Sequence, residues 1–241
     1  EADDNIREIA YEIIVAIIEG NQKILDKDEE KLRTFVQSLF KYAMELDQTI
    51  DDEWLKPNPI SFISDEFIPE HKLDEATSLL TRLFDVVNEE KLLKITSNNI
   101  IELINHSSDS EWKYKYIAYI TVAEIAGHIE ELYTIEKLIN MILNDIFSPN
   151  IKVQYAALYC IAELSDEHNP DFQNEYHEKV VPPLIKLLNE SKCLRVQLEI
   201  CDAFNMFVEH MTDNDASKYL QTSLDVLFSI FIKSEKKVYW M

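Results

Sequence analysis

The 241-residue chain has only two glycines, Gly20 and Gly127, and seven prolines. Tight turns draw on residues that tolerate unusual backbone angles, so a turn-rich all-β sandwich or barrel is excluded. Two glycines also cannot build a phosphate loop or a dinucleotide fingerprint. Cysteine is scarce as well. Cys160, Cys193 and Cys201 follow no metal or redox spacing,. Cys160 and Cys201 fall inside apolar helical runs and read as small core residues of a reducing compartment. No uninterrupted apolar run reaches ~18 residues, so no membrane insertion is expected. There is no signal-peptide pattern. The chain opens inside a helical pattern at Glu1 and reads as an excised piece of a longer one.

Basic residues are few too. Lysine and arginine number 23 against 45 aspartates and glutamates, a formal charge of -22. A field of that sign repels nucleic acid and anionic lipid and favours basic partners. Solubility alone is the competing explanation. The six histidines are scattered. His177-Glu178 begins like a zinc-protease helix, but Val181 stands where the second histidine is needed,. A G-x-S-x-G elbow is missing. No metal site, cofactor or catalytic residue is expected, and the chain is not expected to be an enzyme.

What the chain has is repetition. Trp112-Lys113-Tyr114-Lys115-Tyr116-Ile117-Ala118, Ile151-Lys152-Val153-Gln154-Tyr155-Ala156-Ala157 and Leu194-Arg195-Val196-Gln197-Leu198-Glu199-Ile200 share one pattern. Each opens an amphipathic helical run, and a second run follows. A period of roughly 40–47 residues with two helices per unit marks a HEAT-type solenoid. The expected fold is therefore all-α: a HEAT-repeat α-solenoid, a right-handed superhelix of about five helix pairs spanning 1–241. Ala118, Ala157 and Ile200 align as core positions, as do Val122, Ile161 and Phe204, and Ile125, Leu164 and Phe207.

Along the chain, Ile6, Ile9, Ala10, Ile13, Ile14, Ile17 and Ile18 form a 3.6-period stripe. A second helix begins near Asp28, with Leu32, Phe35, Val36, Leu39, Phe40 and Ala43 on one face. Residues 51–70 break the pattern, because Pro57, Pro59 and Pro69 cannot continue a helix. This acidic, Pro-containing loop carries Asp51, Asp52, Glu53 and Trp54. Trp54 either packs the loop onto the solenoid or faces a partner. Further pairs are expected at 72–88 and 90–105, 111–127 and 131–146, 150–166 and 172–189, and 192–210 and 215–233. Pro182-Pro183 should interrupt the helix at 172–189 or move its start.

Several segments resemble the importin-β (karyopherin-β) superfamily, above all its importin-five (karyopherin-β3) branch. Arg7 to Val15 is similar to that branch's R-N-L-A-L-E-V-I-V helix. Asp51-Asp52-Glu53-Trp54 sits where the family has an acidic loop with an acidic-Trp step. Trp112-Lys113-Tyr114-Lys115 resembles W-K-Y-R. Phe172 to Val180 resembles F-Q-x-x-F-H-E-K-V, the most specific match. The family's V-R position becomes Val153-Gln154 and Val196-Gln197 here, and the acidic loop is diluted by proline and phenylalanine.

The resemblance implies a nuclear transport receptor fragment that binds basic cargo, such as ribosomal proteins and histones, for Ran-dependent import through nuclear pores. It implies Ran-GTP contacts mainly through repeats outside this segment, Phe-Gly nucleoporins as partners, and shuttling between cytoplasm and nucleus. Cargo binding falls on the second helix of each pair, with Glu136, Asn140, Asn144, Asp145, Glu175 and Glu178 as candidates. Carboxylates bind lysine and arginine, and asparagine amides clamp an extended backbone. The alternative is a structural HEAT scaffold of a phosphatase or chromosome complex.

Overall fold

The apolar stripes become helices, and no strand occurs among the described residues of the computed structural model, which are 2–21, 28–46, 52–55, 71–106 and 111–238. In chain order, α1 (Ala2–Gly20) pairs with α2 (Glu29–Ala43), and a single turn, α3 (Asp52–Leu55), follows. Next come the pair α4 (His71–Phe84) and α5 (Glu89–His106), then α6 (Trp112–Glu124) and then α7 (Glu136–Asp145). Short 3-10 turns at Ala126–His128 and Leu132–Ile135 take up the ends that the sequence assigned to α6 and α7. Last come α8 (Ile151–Glu167) with α9 (Asp171–Glu190), and α10 (Leu194–Glu209) with α11 (Asp213–Val238).

The described residues divide into two compact units. The first comprises residues 1–49 and 60–130, the second residues 50–59 and 131–241. In the first, α4 packs against both α1 and α6, and α2 packs against α4 and α5. In the second, α8 lies along α10, α9 touches α10 and α11, and α3 rests on α10. First helices stack on first helices, and second on second, as HEAT-type packing requires.

Local chemistry sets the helix starts. Asp28 accepts the backbone N–H of Lys31 at 3.2 Å, and Asn150 accepts those of Lys152 and Val153 at 3.0 and 3.3 Å,. At the head of α11 the Thr212 hydroxyl accepts the backbone N–H of Asp215 at 3.2 Å and donates to its carboxylate at 2.8 Å,. The helix ends are closed by the residues that replace the family's arginine. Gln154 Nε2 donates to the carbonyl of Ile146, just past α7, at 2.6 Å. Gln197 Nε2 donates to the carbonyl of Ser191, just past α9, at 2.6 Å. An amide thus satisfies the orphan carbonyl of a helix terminus without a charge.

The aligned core positions are buried, apart from Phe204, which is half-buried. Full burial of such side chains contributes about 1.5–3 kcal/mol each. Two expectations need correction, those for Cys201 and for Pro182-Pro183, and the exposure of α1 is a finding beside them. The isoleucine stripe of α1 is mostly exposed: Ile6, Ile9, Ile13, Ile14 and Ile17 face outward, and Val15 and Ile18 carry the core contact. Both faces of α1 are apolar, so periodicity alone did not show which one meets α4. Cys201 is exposed rather than core, whereas Cys160 is fully buried. And α9 runs unbroken through Pro182 and Pro183. A proline inside a helix costs roughly 3 kcal/mol. Burial of Phe172, Tyr176, Val180, Val181, Leu184 and Leu188 on either side outweighs that cost,.

Asp51 and residues 56–70 of the proline-containing loop lie outside the described residues. Within its start, Asp52–Leu55 forms the turn α3, and Trp54 is buried in the second unit. The side chains of Asp52 and Glu53 are also outside what is described.

Candidate functional site

The cargo-binding candidates lie on α7 and α9. Ile139 and Ile142 pin one face of α7 to the core, which turns Glu136 and Asn140, one helical turn apart, onto another,. On α9, Phe172, Tyr176 and Val180 are buried, while Glu175, Glu178 and Lys179 are exposed.

One basic side chain joins the two helices. Lys179 Nζ lies 3.4 Å from Asn140 Oδ1 and 5.4 Å from the centre of the Tyr176 ring. Asn140 is oriented for this, because its Nδ2 donates to the carbonyl of Glu136 at 3.0 Å. Burial, followed by the nearby charges of Glu175 and Glu136, pushes the Tyr176 phenol up to about 12. Both carboxylates therefore act on the hydroxyl end of the ring whose face the ammonium covers. An amide oxygen and an aromatic face form a cradle for a cation, and two carboxylates lie near the hydroxyl of that ring,.

Glu178 faces the other way along α9, towards α11. Its charge raises the pKa of Lys218 and of the Tyr219 phenol, in each case behind a larger cause. His177 Nδ1 is 2.9 Å from the Tyr219 hydroxyl, and Lys218 Nζ is 2.7 Å from Asp215 Oδ1. Asn144 is exposed and Asp145 half-buried, both at the far end of α7 from Glu136. Glu136, Asn140 and Glu175 thus converge; Glu178 belongs to the neighbouring α9–α11 contact, and Asn144 and Asp145 stand apart. Sequence reasoning missed Tyr176 and Lys179. The signal was present: Tyr176 stands one turn after Phe172, and Lys179 is exposed beside it within the Phe172–Val180 motif.

In the first unit, Glu8, His71 and Glu75 bring ligand-type atoms within 4.8 Å of one another, the one such group among the described residues. The Tyr42 hydroxyl reaches Glu8 at 2.7 Å and Glu75 at 3.1 Å. Burial, more than any other cause, raises the pKa of Glu75. His71 is exposed and lies 3.8 Å from each carboxylate. A tyrosine proton already serves these carboxylates. No helix among the described residues is long and apolar enough to cross a membrane.

Comparison with known proteins bears on the fold. No protein-family model matches the chain. Importin subunit beta-3 of Saccharomyces cerevisiae is 22% identical over 236 residues, which is 95% of this chain and 21% of that protein. Crystal structures of Kap121p bound to Pho4p and to Nup53p superpose with a TM-score of 0.77 at 21% identity, covering 92% of this chain and 21% of theirs. Kap121p bound to RanGTP gives 0.76 at 21% identity over the same shares. The resemblance to the importin-β superfamily holds. The fold is that of a karyopherin HEAT-repeat solenoid, and this chain spans about a fifth of the length of the karyopherins it matches.

Proposed function

We propose that the chain is a segment of a nuclear transport receptor and that the α7–α9 cradle binds lysine or arginine side chains of a basic cargo. The observation that carries this reading is Lys179, already seated between Asn140 Oδ1 and the Tyr176 ring, whose hydroxyl feels the charges of Glu136 and Glu175. A chain that holds its own ammonium there offers the chemistry a cargo lysine needs. The formal charge of -22 adds long-range attraction for such a cargo,. Kap121p is named with a protein cargo-type partner, with RanGTP and with Nup53p, which supports a receptor reading for its relative. Ran-GTP contacts through repeats outside this segment, binding of Phe-Gly nucleoporins, and shuttling between cytoplasm and nucleus follow from that reading. So does a non-enzymatic role. It treats 1–241 as one HEAT array with the 51–70 loop inserted after its first pair. Ribosomal proteins and histones are the basic cargo class.

The test is a titration of lysine-rich peptides against the parent and two variants. Glu136→Lys with Glu175→Lys should weaken binding at least about tenfold while leaving the helical circular dichroism unchanged, since exposed substitutions shift stability by only about 0.5 kcal/mol. Lys179→Ala empties the cradle and should tighten binding a few-fold. Unchanged affinity in both folded variants would place cargo recognition elsewhere. A structural scaffold should show no preference for basic peptides at all.

A further inference from the structure

Trp54 is held by a set of residues that the sequence separates from it by about a hundred positions. Its side chain is buried, although it belongs to a four-residue turn. Arg195 Nε donates to the Trp54 carbonyl at 2.6 Å, and its guanidinium carbon stands 4.8 Å from the indole ring centre. Lys152 Nζ lies 5.8 Å from the same ring, and Tyr155 meets it edge-on at 5.8 Å. Cys193 Sγ is 3.6 Å from the carbonyl of Leu55. Lys152 and Arg195 are themselves buried, each 1% exposed.

These two cations occupy the second position of the repeated heptapeptide, where Lys113 stands in the first unit. Lys113 Nζ also takes up chain that follows α2, donating to the carbonyl of Leu46 at 2.6 Å. The cage therefore belongs to the repeat framework and not to the turn it holds. Its walls are positioned without Trp54: Asn150 caps α8, and Gln154 and Gln197 anchor the first turns of α8 and α10. Two cations facing a ring and its carbonyl select an aromatic residue with negative charge nearby. Asp51, Asp52 and Glu53 supply that charge in the sequence.

We propose that the first turns of α8 and α10 form a receptor site for a tryptophan on an acidic segment, filled in cis by Asp52–Leu55 and filled in trans by a partner's acidic tryptophan peptide when that segment withdraws. The ligand class is opposite in charge to the lysine-rich cargo of the α7–α9 cradle, so the two sites do not compete for one peptide. A tethered ligand competes at an effective concentration in the millimolar range, so the parent should resist the free peptide.

A fluorescently labelled peptide with the sequence of residues 48–57 tests this against the full chain. The Trp54→Ala variant should bind it at least about tenfold more tightly than the parent does, and should ignore the same peptide with alanine at the tryptophan position. A folded variant that binds both peptides alike, or binds no better than the parent, overturns the proposal. Should Trp54→Ala not fold, the parent labelled with 5-fluorotryptophan gives the answer. Its Trp54 fluorine resonance should shift with about 1–10 mM tryptophan peptide and stay put with the alanine peptide. A resonance that does not respond to the tryptophan peptide, or responds equally to both, overturns it as well.

Discussion

Glu199 is a carboxylic acid set inside the core of the second unit, only 5% exposed, at the start of α10. Burial pushes its carboxyl up to about 8, and the charges of Asp202 and Glu163 add to the rise. A hydrogen bond with Tyr155 and the charge of Arg195 act in the opposite direction without reversing it. Glu199 is therefore neutral in the folded chain at pH 7. Unfolding releases it to ionise near the ordinary glutamate value of 4.5. Between about 4.5 and about 8 the folded state holds a proton that the unfolded state has lost. Its stabilising contribution is full below that window and is lost as pH rises through it, at up to ~1.4 kcal/mol per pH unit. Urea unfolding from pH 5 to 8 should show this slope, and Glu199→Gln should flatten it and make the chain more stable than the parent at pH 8. An equal slope in both proteins would show that Glu199 titrates normally. A heptapeptide comparison marked position 199 as part of a repeat but had no means of marking a buried acid.

At the scale of the element, the glutamines at the fourth heptapeptide position tie each repeat to the helix before it. Gln154 and Gln197 close α7 and α9 by identical 2.6 Å bonds to the carbonyls of Ile146 and Ser191. Each bond is part-buried and each side chain is half-buried. Gln154→Ala and Gln197→Ala should each cost about 0.5–1.5 kcal/mol, read as a lower urea midpoint at unchanged slope. The sites lie on different repeats with separate partners, so their effects should add to within about 0.5 kcal/mol. No loss in either variant would mean that water serves the carbonyls equally well. Helix existence was legible from apolar spacing for every pair. Helix continuity at Pro182 and Pro183 was not, because the burial that sustains α9 is supplied by neighbouring helices.

At the scale of the whole molecule, a formal charge of -22 sets the sign of every long-range encounter. Exposed charge pairs are screened within ~8 Å at physiological ionic strength and ~3 Å at 1 M salt. Association of a lysine-rich peptide should therefore weaken about tenfold or more between about 0.05 and 0.5 M salt, mostly through a slower on-rate. Stopped-flow titration across that range checks it. A salt-independent on-rate would mean that the acidic surface serves solubility and not capture. The tryptophan peptide of the α8–α10 cage should show the opposite bias, with no electrostatic steering towards so acidic a chain.

By itself the sequence determined the class of fold and its repeat, because a 3.6-residue apolar period and a recurring heptapeptide are properties of order along the chain. It also determined the sign of the charge and the type of side chain a partner must offer. Only the tertiary structure decided which of those side chains meet. Asn140 meets Lys179, and Glu136 and Glu175 act on Tyr176, because α7 and α9 lie near each other in space, while Asn144 and Asp145, equally polar on paper, fall at the far end of α7. It likewise decided between two open fates for Trp54, because its cage of Lys152, Tyr155 and Arg195 exists only once α8 and α10 are stacked. Periodicity specifies a face of a helix; the occupant of that face is fixed by packing between elements distant in sequence.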